Sequence, residues 1–162
     1  MKVLKNWDNK TWLSSNTYID SFNSFLLKKK KLNKKSKLLD IGCGRGKIFG
    51  SLSRKLKLIN KPIGIDPVSH TDVDRSIHFI NEDIFKFFKN NQNRFDLIMI
   101  KQTLHFFNKK KRSKLIKVCK KNLKKNGVLL VFSLNTLNNQ IPCFKLMKQK
   151  MNKGLKRDSI ML

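Results

Sequence analysis

Ten consecutive residues, LLDIGCGRGK at 38–47, hold the densest chemistry in this sequence. An apolar run ends in a carboxylate, Asp40. Glycine then recurs at every second position, Gly42, Gly44 and Gly46, before Lys47. Glycine lets a backbone turn through conformations closed to other residues and pass close to a bound ligand. A carboxylate at the end of such a run can meet a cationic group. Two more carboxylates stand in similar settings, Asp66 in GIDP and Asp83 in NEDIF. Asp66 can accept both hydroxyls of a ribose from a strand end, or simply shape a turn before Pro67. Asp83 can take an amino group from a base, or cap the helix after it. Lys101, Gln102 and His105 follow the apolar run FDLIMI. His105 can accept a proton from an oxygen or nitrogen nucleophile, or pack beside Phe106 and Phe107 and only shape a pocket.

The glycine loop excludes two common phosphate binders. The dinucleotide pattern G-x-G-x-x-G counted from Gly42 and Gly44 needs a glycine at 47, where lysine stands. The triphosphate loop G-x-x-x-x-G-K-[ST] fails at both ends, because residues 41 and 48 are isoleucine. What remains is D-x-G-x-G-x-G after a first strand.

The elements that must carry these residues follow from periodicity. KLLDIGC, KPIGIDP, SIHFINEDI, RFDLIMIKQ and NGVLLVFSL read as five short buried strands, the last entered through an Asn-Gly turn. Between them lie helical patterns. GKIFGSLSRKLKL places Ile48, Leu52 and Leu56 on one side, and FKFFKNN makes a short helix. NKKKRSKLIKVCKKNLKK (108–125) carries Leu115, Ile116, Val118, Cys119 and Leu123 on its apolar side. TYIDSFNSFLLKKKKL gives an amphipathic helix ahead of the first strand, and IPCFKLMKQKMNKGLK (141–156) a last one. Residues 68–76 are too short and polar for a crossover helix and read as a loop or single turn. Apolar strands alternating with helices predict an α/β fold, a doubly wound parallel sheet with helices on both faces. Three segments are expected: an N-terminal helical cap over 1–35, the α/β domain over 36–135 and a helical segment over 136–162.

Taken in order, these motifs resemble the class I S-adenosylmethionine-dependent methyltransferases of the small-molecule type, over about residues 36–135. The resemblance implies a Rossmann-like sheet of strand order 3-2-1-4-5 and S-adenosylmethionine as cofactor. It implies that Asp40, Gly42, Cys43, Gly44 and Gly46 line the methionine and adenosine. Asp66, with Pro67 after it, would lie on the ribose, and Asp83 and Ile84 at the adenine. Lys101 and Gln102 would face the cofactor near the transferred methyl, with Lys101 and His105 as catalytic candidates on the acceptor side. The family fold ends in two further strands that form an antiparallel edge pair. Few residues follow Asn135, so the chain is expected to lack that pair. It would be a monomer with a covered edge, or a dimer paired through it. Trp7, Trp12 and Tyr18 form either a lid over the cofactor or an aromatic helix packed on the sheet.

Composition narrows the setting. The formal charge is +27. Such a charge suits nucleic acid. Yet Lys, Asn, Ile and Phe supply 74 of 162 residues and alanine is absent. That is the signature of A- and T-rich codons, and both readings stand. Cys43, Cys119 and Cys143 are odd in number and far apart, which fits neither a disulfide framework nor a zinc site, so no metal is expected. No stretch approaches the ~18 apolar residues of a membrane span, and the N-terminus lacks a secretory core. A reducing cytoplasm is the expected location. Three functions remain: a methyltransferase for a small-molecule or lipid-like acceptor, a non-catalytic cofactor-binding remnant, and an RNA methyltransferase using the basic surface. The absence of [ND]-P-P-[YFW] after the fourth strand weighs against one subgroup of the last.

Overall fold

The computed structural model describes residues 16–132. The expected final helix over 141–156, and Trp7 and Trp12, lie outside the described residues. Four helices, α1 (Asn16–Lys29), α2 (Lys47–Leu56), α3 (Ile84–Asn90) and α4 (Lys109–Lys121), accompany five strands. The strands are β1 (Leu38–Ile41), β2 (Ile63–Ile65), β3 (His78–Ile80), β4 (Phe95–Lys101) and β5 (Leu123–Phe132). They form one parallel sheet in the order β3-β2-β1-β4-β5. The parallel sheet with helices is what the sequence pattern predicts, and its order is the Rossmann-like one that the resemblance implies.

Side chains of β1 and β4 point alternately to the two faces, as strand geometry requires. Leu38, Leu97 and Met99 join Leu26 of α1 and Ile48, Phe49 and Leu52 of α2 on one face. Leu39, Ile41, Ile98 and Ile100 join Ile84 and Phe87 of α3 and Leu115 and Cys119 of α4 on the other. Helices thus cover both faces, which is why β1 and β4 carry almost no polar residue. Asp40 is the one polar residue at their buried positions, while Asp96 and Lys101 stand half-buried near the two ends of β4. Two helix starts are fixed by side chains: Asp83 Oδ1 accepts from the Phe85 and Lys86 N–H groups, and Asn108 Oδ1 accepts from the Lys111 N–H at 2.9 Å. No helix among the described residues is long and apolar enough to cross a membrane.

One element departs from expectation. Helix α4 ends at Lys121, and Leu123 does not continue its apolar side. Leu123 opens β5 and pairs with Phe95, while the next pair is Leu97 with Val128. Between these pairs β4 advances two residues and β5 five. Asn126-Gly127 therefore lies inside an irregular stretch of the strand, not in a turn ahead of it. Tertiary contacts hold that stretch. Lys124 Nζ pairs with Asp96 Oδ2 at 2.7 Å, and Lys30 Nζ donates to the Asn126 carbonyl at 2.6 Å. A Cβ on Gly127 would stand 2.6 Å from the Phe95 carbonyl oxygen. Beyond β5 no further strand pairs among the described residues, and Val131 is 40% exposed there.

Gly127→Ala should therefore destabilise the fold by about 1–3 kcal/mol, the usual cost of forcing atoms into a packed site. Urea unfolding checks this. An unchanged midpoint would show that β5 does not pass so close to β4.

Candidate functional site

The carboxyl ends of β1, β2 and β4 converge, the edge of an open α/β sheet at which ligands bind. β1 delivers Asp40 and the glycine loop. Gly42, Gly44 and Gly46 all adopt positive φ, at 70°, 54° and 68°. The loop is tied to β2 by the Gly42 and Cys43 N–H groups, which both donate to the Ile65 carbonyl, at 2.8 and 3.2 Å. Gly42 is further constrained because a Cβ there would run into the Thr103 side chain. Thr103 Oγ1 in turn donates to the Lys101 carbonyl at 3.0 Å and lies 3.3 Å from the Ile41 carbonyl. This threonine locks the ends of β1 and β4 together. Gly46 precedes α2 and offers no side-chain cap. The first N–H groups of that helix thus remain for a ligand or water.

Asp40 is 4% exposed, and its Oδ1 has no hydrogen-bond partner. Burial pushes its pKa up to about 7. The charge of Lys101 works against that rise, and the charge of Asp66 adds to it. Burial, and the nearby carboxylates Asp40 and Asp66, likewise raise the Cys43 thiol far above its ordinary range, which favours its protonated form.

Asp66 lies at the end of β2 with both oxygens engaged. Oδ2 accepts the Gly44 N–H at 2.8 Å, and Oδ1 accepts the Val68 N–H at 2.9 Å. His70 Nε2 stands 3.9 Å from Oδ1. Each oxygen keeps a second lone pair. Pro67 is exposed beside it. Asp83 is exposed and caps α3. The Ile84 side chain is buried in the core, so Ile84 can meet a ligand only through its backbone.

At the end of β4, Lys101 places its ammonium over the Tyr18 ring, 5.8 Å from the centroid. Gln102 adopts φ 54°, rare for a residue with a side chain, and donates its N–H to the Phe132 carbonyl at 2.8 Å. His105 sits in the 3-10 turn Leu104–Phe106, its ring centroid 4.1 Å from that of Phe106. The structure therefore gathers Asp40, the glycines, Asp66, Lys101 and Gln102 on linked loops. Asp83 and His105 are each engaged with their own local neighbours.

Several residues at this edge carry no signal in the sequence. Thr103 is one. Arg45, 8% exposed, pairs with Asp72, and its carbonyl accepts the Asp74 N–H at 2.9 Å. That pairing holds Asp72 below its usual carboxylate range. Buried Arg112 donates from Nε to the Leu104 and Phe107 carbonyls, at 3.0 and 2.7 Å, and so fixes the turn that bears His105. Among the described residues no group of His, Cys, Asp or Glu can hold a metal.

Residues 39–131 match a family model described as a methyltransferase domain. The chain belongs to this methyltransferase domain family. Solved structures of the same fold include the plantazolicin methyltransferase BpumL in complex with a pentazolic desmethylPZN analogue and SAH. It is 23% identical at a TM-score of 0.59, with 87% of this chain and 58% of that one covered. YjhP from E. coli is 16% identical at a TM-score of 0.56, with 72% and 48% covered. A SAM-dependent methyltransferase from Thiobacillus denitrificans, in complex with S-adenosyl-L-homocysteine, is 16% identical at 0.55, again with 72% and 48% covered. The methyltransferase domain thus spans about half the length of the structures it matches. No curated protein matches the sequence.

Because its pKa is raised, Asp40 binds more protons folded than unfolded. The stability of the ligand-free protein should then fall as pH rises from about 4 to about 7, its ordinary and its folded values. Asp40→Asn should remove that fall and leave the variant the more stable of the two above pH 7. Urea midpoints across the range decide it, and parallel curves for the two proteins would place the Asp40 carboxyl in water.

Proposed function

We propose that this methyltransferase domain binds S-adenosylmethionine at the carboxyl edge and transfers its methyl group to a small-molecule or lipid-like acceptor. The single observation that carries the cofactor assignment is the buried, unpartnered Oδ1 of Asp40 beneath three left-handed glycines. An orphaned carboxylate there fits a cationic ligand group, and the sulfonium cofactor carries an ammonium on its methionine half. The complexes with SAH among structures of the same fold support the same reading.

In this reading each residue has a definite task. Asp40 holds the ammonium, and the uncapped start of α2 meets the carboxylate of the same amino acid. The backbone of Gly42, Cys43, Gly44 and Gly46 passes along the adenosine. Asp66 accepts the ribose hydroxyls through its remaining lone pairs, beside Pro67. Asp83 keeps one oxygen on α3 and offers the other to the adenine amino group, next to the Ile84 backbone. Lys101 and Gln102 face the methyl side. When bound, the cofactor supplies an electrophilic methyl carbon, so the protein has to supply position and exclusion of water. His105 takes the acceptor's proton, and Lys101 keeps Asp40 ionised once a cation is present.

S-adenosylmethionine at about 100 times its dissociation constant should stabilise the protein by about 2.7 kcal/mol, read as a rise in Tm. A shift with a nicotinamide dinucleotide and none with the sulfonium compound or its demethylated product would reject this reading of the loop. Calorimetric titration with S-adenosylhomocysteine tests the residue roles. Asp66→Ala should lose more affinity than Asp83→Ala, since charge-assisted hydrogen bonds contribute about 1.5–3 kcal/mol each and Asp66 accepts two. Urea unfolding of each variant separates this loss from loss of the Gly44 and Val68 contacts. Equal or reversed losses would mean the two strand ends are misassigned.

A further inference from the structure

The two edges of the sheet differ sharply in charge, one nearly balanced and the other purely basic, and composition alone does not sort residues in this way. At the amino edge lie segments 30–37, 57–61, 89–94 and 120–126, which lead into or toward the strand starts. Of their 26 residues 13 are Lys or Arg and none is Asp or Glu. At the carboxyl edge, segments 40–47, 66–77, 81–84 and 101–111 hold six acidic residues and seven basic ones. Along β4 the edges are roughly 20 Å apart, at ~3.3 Å per residue.

The four amino-edge segments form one continuous surface. The Ile59 N–H donates to the Lys34 carbonyl at 2.8 Å, and Lys37 Nζ donates to Asn93 Oδ1 at 3.2 Å. Asn91 Nδ2 donates to Asn122 Oδ1 at 2.8 Å, and Lys30 reaches Asn126. Lys34, Lys35, Lys61, Arg94 and Lys125 are all exposed on it.

We propose that this amino edge docks a nucleic-acid duplex through its phosphates, on the side of the domain opposite the methyl-transfer site. Lysine and asparagine are among the residue types that contact phosphate and sugar, contacts that carry no sequence information. The four segments contain no aromatic residue, so they offer no stacking platform for unpaired bases. A duplex, whose bases are already stacked, needs none. Ile59 is the one large apolar side chain strongly exposed there, too little to enter a lipid surface. The duplex is not the methyl acceptor in this arrangement. It is a tether, and cofactor and duplex bind independently.

Fluorescence anisotropy of the full 162-residue chain with a labelled RNA duplex of about 20 base pairs, over a salt series, tests this. Affinity should fall steeply with salt, by a logarithmic slope of about 0.9 for each phosphate neutralised. The combined variant Lys34→Gln, Lys35→Gln, Lys61→Gln and Lys125→Gln should bind about tenfold more weakly or worse and lose about 3.6 from that slope if each lysine neutralises one phosphate. Lys109→Gln, Lys110→Gln and Lys111→Gln, at the other end of α4, should change affinity by less than about threefold, and saturating S-adenosylhomocysteine should leave it unchanged. An equal loss from the α4 variant, or competition by S-adenosylhomocysteine, would overturn the placement. Tighter binding to single strands, or binding to anionic vesicles but not to the duplex, would overturn the partner. Failure of S-adenosylhomocysteine to bind at all would remove the methyltransferase reading and leave this one standing.

Discussion

A carboxyl group closed away from water at the end of a central strand must be answered by a proton or by a cation, and the carboxyl edge is built around that need. Asp40 sits on β1, between β2 and β4, where the sheet is deepest. Lys101, at the end of the neighbouring strand, lowers the cost of ionisation without cancelling it. Replacing Asp40 with an apolar residue would be the simpler way to fill such a position. A carboxyl kept there, with one oxygen unmatched, makes sense as an affinity held for a ligand.

The surrounding backbone makes that position reachable. Three glycines in the left-handed region carry the chain over Asp40, and the Thr103 side chain fills the space that a Cβ on Gly42 would need. Thr103 and Gln102 also join β4 to β1 and β5, so the rim of the site inherits its rigidity from the sheet. Asp66 serves the same end, because its two oxygens hold the glycine loop at Gly44 and the next turn at Val68. Any ligand that it accepts shares an oxygen with these structural bonds. The acidic residues gather at this rim, while the amino edge is left to lysine.

Most of the fold was legible in the sequence because each buried strand is a short apolar run ended by a turn. The spacing of Ile48, Leu52 and Leu56 marked α2 equally clearly. β5 was legible in part. Leu123 fits the helical spacing of α4, and Asn-Gly is a strong turn signal, so local pattern pointed away from the observed start. Pairing with Phe95 and the packing of Gly127 on the β4 backbone overrode both. The candidate site divides in the same way. Asp40, the glycines and Asp66 announce themselves by motif. Thr103, Arg45 and Arg112 do not, because their roles depend on contacts between segments distant in sequence. His70, which stands in no motif, is brought to within 3.9 Å of Asp66 by the turn after β2. Asp83 shows the limit of residue type: its sequence suits both a base contact and a helix cap, and the structure shows the cap made through Oδ1 alone, which leaves Oδ2 for the other task.

The most direct test is to watch the Asp40 carboxyl itself. Carbon-13 labelling of the aspartates, with Asp40→Asn to assign the signal, gives its titration by NMR with and without S-adenosylhomocysteine. In the free protein the midpoint should lie at about 7. On binding, it should drop sharply as the ligand's ammonium takes the place of the proton. A free-state midpoint in the ordinary carboxylate range, or one that does not move when the ligand binds, would contradict this reading of Asp40.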